Sequence, residues 1–325
     1  MKKLSTHIQH HLYRVVLTII SITLYAQLGF SQIQPQLEFG FSWGSTKFIG
    51  DINGNSSRDK SFNGIKHNLL SRYIVGIYAS YHLIDPITIT ASINRGRIDG
   101  ADSLEMRTGE LADLRKGRSL SFKSAITEAT LSAEIDPIGI LTNSSNDLEH
   151  KLRPYITVGI GLFHFNPQGE YIHPDNSKSW VDLKPLRTEG QGMSSHPDRK
   201  EYNLTQFTTP IGLGIKYYIS ASIYTSLEYV YRKTFTDYID DVSTRYIANQ
   251  DFINHFGAGN SSTVIAIQMA NKAAFKNGGV APPSYDVNSK RGSPLRKDAY
   301  SSVSIKIAVM PWGIKKRIKS LQCPI

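Results

Sequence analysis

Eight short segments of alternating apolar and polar residues, joined by connectors that are alternately long and short, restrict this chain more than any other feature of its sequence. Period-2 alternation places every apolar side chain of a segment on one face of an extended strand. The first segment, 37–43, has Leu37, Phe39, Phe41 and Trp43 on one face and Glu38, Gly40 and Ser42 on the other. The second, 72–83, sets Tyr73, Val75, Ile77, Ala79 and Tyr81 against Gly76, Ser80 and His82. In the third, Ile87, Ile89, Ala91 and Ile93 oppose Thr88, Thr90, Ser92 and Asn94. The fourth, 120–135, places Leu131 and Ile135 opposite Glu128 and Glu134. In the fifth, 155–165, both faces carry bulky residues, and the Ile156, Val158, Ile160 and Leu162 face is taken as the outer one. The last three segments centre on Ile211–Tyr217, Ile223–Arg232 and Ser302–Val309.

The connectors span 44–71, 84–86, 95–119, 136–154, 166–209, 219–222 and 233–300. A soluble β-sandwich or lipocalin-like barrel also alternates. Long connectors at one end and shorter ones at the other are the mark of an outer-membrane barrel, whose long loops lie outside the cell. A membrane strand needs only about 9 to 11 residues, which suits these segments. The expected fold is therefore all-β, an eight-stranded antiparallel transmembrane β-barrel with long extracellular loops and short periplasmic turns. The turn at 136–154 is long for this scheme, but Asp136, Pro137, Asn143, Ser144, Ser145 and Asn146 give it a solvated composition.

Charge decides which face meets lipid. With the apolar faces outward, Glu38, Glu128, Glu134, Lys216, Glu228, Arg232 and Lys306 point inward. A one-residue slip of every strand would put them into lipid, at roughly 2–4 kcal/mol for each mid-depth Lys or Arg. The sum, on the order of 10 kcal/mol, equals a whole protein's stability. Four acids and three bases in a lumen just wide enough for side chains should pair with one another, giving a plugged barrel and not a diffusion pore. Tyr73, Tyr81, Tyr217, Tyr229 and Tyr231 stand near strand ends, where aromatic girdles meet head groups.

Targeting agrees with this fold. Lys2, Lys3 and Arg14 precede an apolar run from Val15 to Leu24, and small residues lead to an expected cut between Ser31 and Gln32. The domain plan is then a signal peptide (1–31), a barrel (32–310, with the long irregular loop 233–300) and a basic tail (311–325). The chain is placed in the outer membrane of a Gram-negative bacterium. Net charge is +10, and removal of three signal-peptide cations leaves +7. Lys315, Lys316, Arg317 and Lys319 crowd the tail, where they either stop the last strand or form a periplasmic contact for an acidic partner or anionic lipid head groups. Export and the absence of an aromatic-rich binding sheet exclude nucleic acid as a partner. The lone Cys323 has no internal disulfide partner.

Catalysis has weak support. Asp237, Asp240 and Asp241 offer three close carboxylates, suited to acid–base work or a hard cation, but such residues at a strand exit are ordinary turn and capping groups. Nothing fixes a nucleophile, and no His has metal-ligand spacing. Gly190, Gln191 and Gly192 read as a flexible loop tip and not a phosphate cradle. No catalytic residue, metal or cofactor is expected.

The stretches Leu37–Asn53, Gly159–Pro167, Pro185–Gly192, Tyr231–Thr244, Arg291–Pro294 and Lys297–Tyr300 resemble, in the same order, the PorG-like family of outer-membrane barrels. The resemblance covers most of the mature chain, and the most specific run is Tyr231, Arg232, Lys233, Thr234, Phe235, Thr236, Asp237, Tyr238, Ile239, Asp240, Asp241, Val242, Ser243, Thr244. Gly50, Asp51, Glu189, Gly190, Gln191, Gly192, Arg291 and Gly292 match as well. The resemblance implies an eight-stranded barrel without known enzymatic activity, found alongside type IX secretion and gliding machinery. Its implied partners are outer-membrane lipid and the periplasmic ring of the translocon. On charge grounds, Arg232 and Lys233 are expected to neutralise Asp237, Asp240 or Asp241 and tie the last loop to the barrel mouth. One departure is the stretch 247–289, long and irregular, with a short helix expected around Val264–Phe275. Another is the tail that continues past Trp312, in place of a terminal aromatic insertion signal. A narrow porin-like transport or ligand-binding barrel remains an alternative, marked by conductance or a continuous lumen. So does a surface-loop adhesin or enzyme, marked by clustered binding or reactive groups in the long loops.

Overall fold

The computed structural model describes residues 37–52, 72–84, 86–104, 108–142, 151–220 and 222–311. The expected signal segment, its cut and the tail cations Lys315, Lys316, Arg317 and Lys319 lie outside these residues. Nine strands form among the described residues: β1 (Leu37–Ile49), β2 (Tyr73–Ile84), β3 (Ile87–Ala101), β4 (Ser121–Ile135), β5 (Leu152–Ile172), β6 (Lys178–Asp182), β7 (Thr205–Tyr218), β8 (Ile223–Thr234) and β9 (Ala299–Val309). Eight of them close into an antiparallel barrel in the order β4-β3-β2-β1-β9-β8-β7-β5, with β4 paired to β5. The seam between first and last strands is long, running from Phe39 opposite Val309 to Ile49 opposite Ala299.

Period-2 alternation locates each barrel strand, yet several run further toward the loop end than predicted. β5, expected over 155–165, continues to Ile172, and β7 begins at Thr205 instead of Ile211. The extensions lie above the apolar belt, so no lipid imposes alternation on them, and backbone pairing together with packing of Phe165 and Tyr171 holds them. β5 there pairs with β4 up to Gly169 on one side and with β6 on the other, Gln168 opposite Asp182. β6 has no counterpart in the sequence reading because its five residues, Lys-Ser-Trp-Val-Asp, carry little apolar pattern.

The barrel is inverted relative to a soluble protein. Ile77, Ile160 and Leu213 on the outer face are 64%, 66% and 61% exposed. Polar and charged residues fill the interior, with Glu38 at 0% and Lys306 at 6% exposure. The Ile156 face of β5 points outward, and Tyr155, Gly159 and Phe163 point inward. Tyr73, Tyr81, Tyr217 and Tyr229 stand on the outer face, and Tyr231 is half-buried. Two lumen glycines make room for aromatic rings: a Cβ on Gly40 would collide with the ring of Tyr78, and one on Gly214 with the ring of Tyr155. Only glycine permits so close an approach.

The interior is stacked in layers. At the turn end Tyr78, Tyr218, Tyr224, Ala308 and Met310 cluster. At the loop end a larger apolar plug packs Phe48, Ile98, Phe122, Ile126, Phe163, Phe165 and Tyr300 with Ile239 and Val242 from the last loop. Each fully buried large side chain stabilises the fold by roughly 1.5–3 kcal/mol. Lumen charges are interleaved with the turn-end tyrosines, Lys216 lying over the ring of Tyr224 and Lys306 over that of Tyr78.

The described parts of the long loops contain helices. Helix α1 (Glu110–Arg118) occupies the loop after β3, and α2 (Pro137–Thr142) opens the long turn after β4, where Asp136 caps it by accepting from the amides of Ile138 and Gly139. The stretch 233–300, expected to be irregular, holds α3 (Asn249–Phe256), α4 (Ser261–Ala270) and α5 (Lys272–Lys276). The last two coincide with the helix expected at 264–275. Asn260 starts α4 by accepting from Ser262 N at 3.0 Å. Phe252, Ala266 and Met269 pack on Tyr171, Leu183, Leu186 and Met193, so the helices rest on the β5–β6 extension as a cap with its own core.

Candidate functional site

Two sets of buried charged groups lie inside this frame, one in the lumen and one in the cap. Strand alternation sends Glu38, Glu128, Glu134, Lys216, Glu228, Arg232 and Lys306 to the barrel interior, where they form two groups. Near the turn end Lys216 Nζ lies 2.8 Å from Glu134, and Lys306 Nζ lies 3.4 Å from Glu134 and 3.0 Å from Glu228. Glu38 accepts from Tyr224 at 2.7 Å and faces His82 Nε2 at 2.5 Å. Nearer the loop end Arg232 donates through Nε and Nη2 to Glu128 at 2.7 and 2.8 Å, and Glu128 also accepts from Asn94 and Tyr300. Below these layers Arg153 pairs with Asp136 at the turn-end mouth, a contact sequence reasoning missed because both residues sat in the presumed solvated turn.

The cavities left beside these pairs measure about 40 and 50 Å³. Such spaces hold a few waters and no solute. Among the described residues the charged side chains thus fill much of the lumen beside these two spaces.

In the cap, signature residues distant in sequence gather around Glu189 and Arg291. Glu189 accepts from Arg291 Nη1 at 2.9 Å, from the amides of Ser243 and Thr244 at 2.9 and 2.8 Å, and from Thr244 Oγ1 at 2.7 Å. Arg291 also donates to the carbonyls of Asp241 and Ala270. Asp240 accepts from Ile52 N and Val242 N, and Asp51 accepts from Ser293 N at 2.6 Å. Asp298 accepts from Ile239 N at 2.9 Å, and Asp237 from Ser243 Oγ at 2.6 Å. Arg118, which sequence reasoning did not single out, holds Asp102 with two nitrogens and donates to the carbonyls of Arg291 and Asp51.

Two expectations are corrected here. Arg232 does not neutralise the loop carboxylates: strand alternation carries it inward to Glu128 and carries Lys233 outward to an exposed position. Asp240, Asp241 and Asp298 are held instead by backbone amides and hydroxyls, among them Thr188 and Tyr202 on Asp241. Nor is Gly190–Gly192 a flexible tip. Gly190 and Gln191 are buried in a tight turn whose φ of 80° at Gly190 and 70° at Gly192 suits glycine. Phe235 remains exposed, and Tyr238 stacks on Tyr202 at 4.7 Å. Among the described residues no group of three or more His, Cys, Asp or Glu is arranged to hold a metal ion.

Burial pushes several cap carboxyls up from their ordinary value of 3.8, Asp237 to about 7 and Asp241 to about 6, the latter in spite of Arg291. Asp240 and Asp298 are raised well above the same value by burial and by neighbouring aspartates. Because these groups bind protons more tightly in the closed cap than in the open chain, their contribution is full below about pH 4 and is lost as pH rises through about 6 to 7. Hydrogen exchange at amides 237–243, corrected for the intrinsic pH dependence, is expected to show stronger protection at pH 5 than at pH 8. Equal or weaker protection at pH 5 would contradict this assignment.

A closed barrel with an apolar outer belt and an ion-paired interior defines a transmembrane β-barrel of the outer-membrane type. No family model matches the chain, and no curated protein does. The chain is similar to the crystal structure of Neisserial surface protein A, at 10% identity over 86% of this chain and 99% of that one, with a TM-score of 0.34. It is similar also to Ail, the attachment invasion locus protein of Yersinia pestis, at 6% identity over 85% of this chain and 99% of that one, TM-score 0.34. A third likeness is to a major outer membrane protein of Thermus thermophilus, at 10% identity over 84% of this chain and 99% of that one, TM-score 0.35.

Proposed function

We propose that this chain is a non-catalytic outer-membrane barrel that anchors or aligns a periplasmic protein-secretion assembly of the type IX kind. The observation that supports this reading is the filled interior: among the described residues, buried apolar clusters and salt bridges occupy the lumen. A barrel that moves nothing through itself works through its two faces. The resemblance to PorG-like barrels directs attention to the periplasmic face, and to the turn after β4 and the basic tail of the sequence as its contacts. Within the cap, the matching residues Asp51, Glu189, Asp240, Asp241 and Arg291 serve to hold the loops closed by hydrogen bonds and one salt bridge.

The test is capture of periplasmic-ring components by the tagged full-length barrel, with and without residues 311–325. Capture by the full chain and a fall of about tenfold on deletion, a loss of roughly 1.4 kcal/mol, is the expected result. Undiminished capture would transfer the contact to the turn after β4. No capture by the full chain would overturn the reading.

A further inference from the structure

At the loop end a cavity of about 540 Å³ opens between α1 and the segment 284–296. It is more than ten times larger than either lumen space, and its walls are basic: Arg115, Arg118, Lys290, Arg291 and Arg296 line it, with Asp51 as the acid among the described lining residues. Two of these cations are built into the protein. Arg118 is buried and fixed by Asp102 and two carbonyls, and Arg291 by Glu189 and two carbonyls. They form a rigid wall and not a mobile surface charge.

Arg118 is paired with Asp102 and Arg291 with Glu189, and Asp51 is the one acid set against Arg115, Lys290 and Arg296, which leaves a surplus of two positive charges among the described lining residues. The side chains of Lys290 and Arg296 are exposed, and neither forms a salt bridge with a described residue. A surplus of two matches the charge of about −1.5 to −2 that a phosphate monoester carries near neutral pH. Guanidinium and ammonium donors are the groups that bind phosphate oxygens best. The remaining lining is of another kind. Ser284 and Ser293 bring hydroxyls, and Leu114, Leu295 and Tyr285 bring apolar surface. Tyr285 is held in place by donating to Leu114 O at 2.8 Å. A volume of this size lies within the range of small-molecule sites, and the combination of a phosphate-binding wall, hydroxyl partners and an aromatic ring suits a sugar of one or two rings.

We propose that this cavity binds a phosphorylated sugar, through Lys290 and Arg296 against the fixed wall of Arg118 and Arg291. The loop end of such a barrel faces out of the cell. The sugar phosphate is therefore either the head group of an outer-leaflet glycolipid or a soluble molecule outside the cell, and the chemistry is the same in both.

The full-length barrel in phosphatidylcholine nanodiscs should bind glucose 1-phosphate in calorimetric titration, and bind both glucose and inorganic phosphate about tenfold more weakly or worse. Lys290→Ala with Arg296→Ala should lower glucose 1-phosphate affinity by about tenfold or more, since each lost charge-assisted bond is worth about that factor. Because both residues are exposed, this variant should keep the gel mobility of the folded barrel. Lys200→Ala with Lys233→Ala, which removes two exposed cations elsewhere, should leave affinity unchanged. Nanodiscs that contain lipid A distinguish the sources. Loss of glucose 1-phosphate binding in them identifies a glycolipid occupant, whereas unaltered binding identifies a soluble one. Equal affinity for glucose and glucose 1-phosphate, equal affinity for inorganic phosphate, or full affinity in the Lys290/Arg296 variant would each overturn the proposal.

Discussion

Replacing Arg232 by Met is expected to destabilise the folded barrel by about 3–5 kcal/mol, read as a lowered urea midpoint for loss of the folded gel band. The guanidinium is buried and makes a forked contact with Glu128 at 2.7 and 2.8 Å. Methionine fills similar volume but leaves a carboxylate in the lumen with only Asn94 and Tyr300 as donors. The cost is that of an unpaired buried charge, not of lost packing. Adding Glu128→Gln to Arg232→Met should therefore restore most of the stability, because the amide oxygen can accept from Asn94 while the amide NH2 donates to the Tyr300 hydroxyl, and no unpaired charge is left at this position. A double variant no more stable than Arg232→Met would show that packing, and not charge, accounts for the loss.

The second large effect is local. Arg291→Met should open the cap, with protease cleavage between about 245 and 299 rising by two orders of magnitude or more, and leave the barrel's folded gel mobility intact. Arg291 joins three parts of the cap at once: Glu189 after β6, Asp241 after β8 and Ala270 at the end of α4. Its loss strands Glu189, which is 0% exposed, at a cost of about 3–5 kcal/mol, and a factor of ten in the open population accompanies each 1.4 kcal/mol. The cap has its own apolar core around Phe252 and Met269, separate from the barrel plug around Phe163 and Tyr300. Loss of the folded gel mobility together with the cap would show that the two parts unfold as one.

The barrel was legible in the sequence because lipid imposes a strict rule on it: every second residue of a spanning strand must be apolar. Leu213 and Ile160 show this, as do the inward positions of Glu38 and Lys306. The ambiguous fifth strand followed the same rule once the aromatic Phe163 was assigned to the inner plug. Above the membrane the rule lapses. The extension of β5 and the short β6 depend on pairing across the chain, and no local pattern records it. The cap was misread for a related reason. Asp240, Asp241, Gly190 and Gln191 have the composition of a solvated loop, and their burial arises from contacts 50 or more residues away, such as Asp240 with Ile52 and Glu189 with Ser243. Partner choice among the lumen charges had the same limit. Alternation placed Arg232 inside, but its pairing with Glu128, 104 residues away, depends on where the two strands stand around the closed barrel.

Planar-bilayer recording of the purified full-length barrel tests the central claim, a sealed barrel that acts through its faces, most directly. The expected result is a silent membrane at applied voltage, with no sustained current steps, because ion pairs and buried apolar clusters fill the lumen beside spaces of about 40 and 50 Å³. Large, stable conductance from the unmodified protein would contradict it and make the barrel a channel.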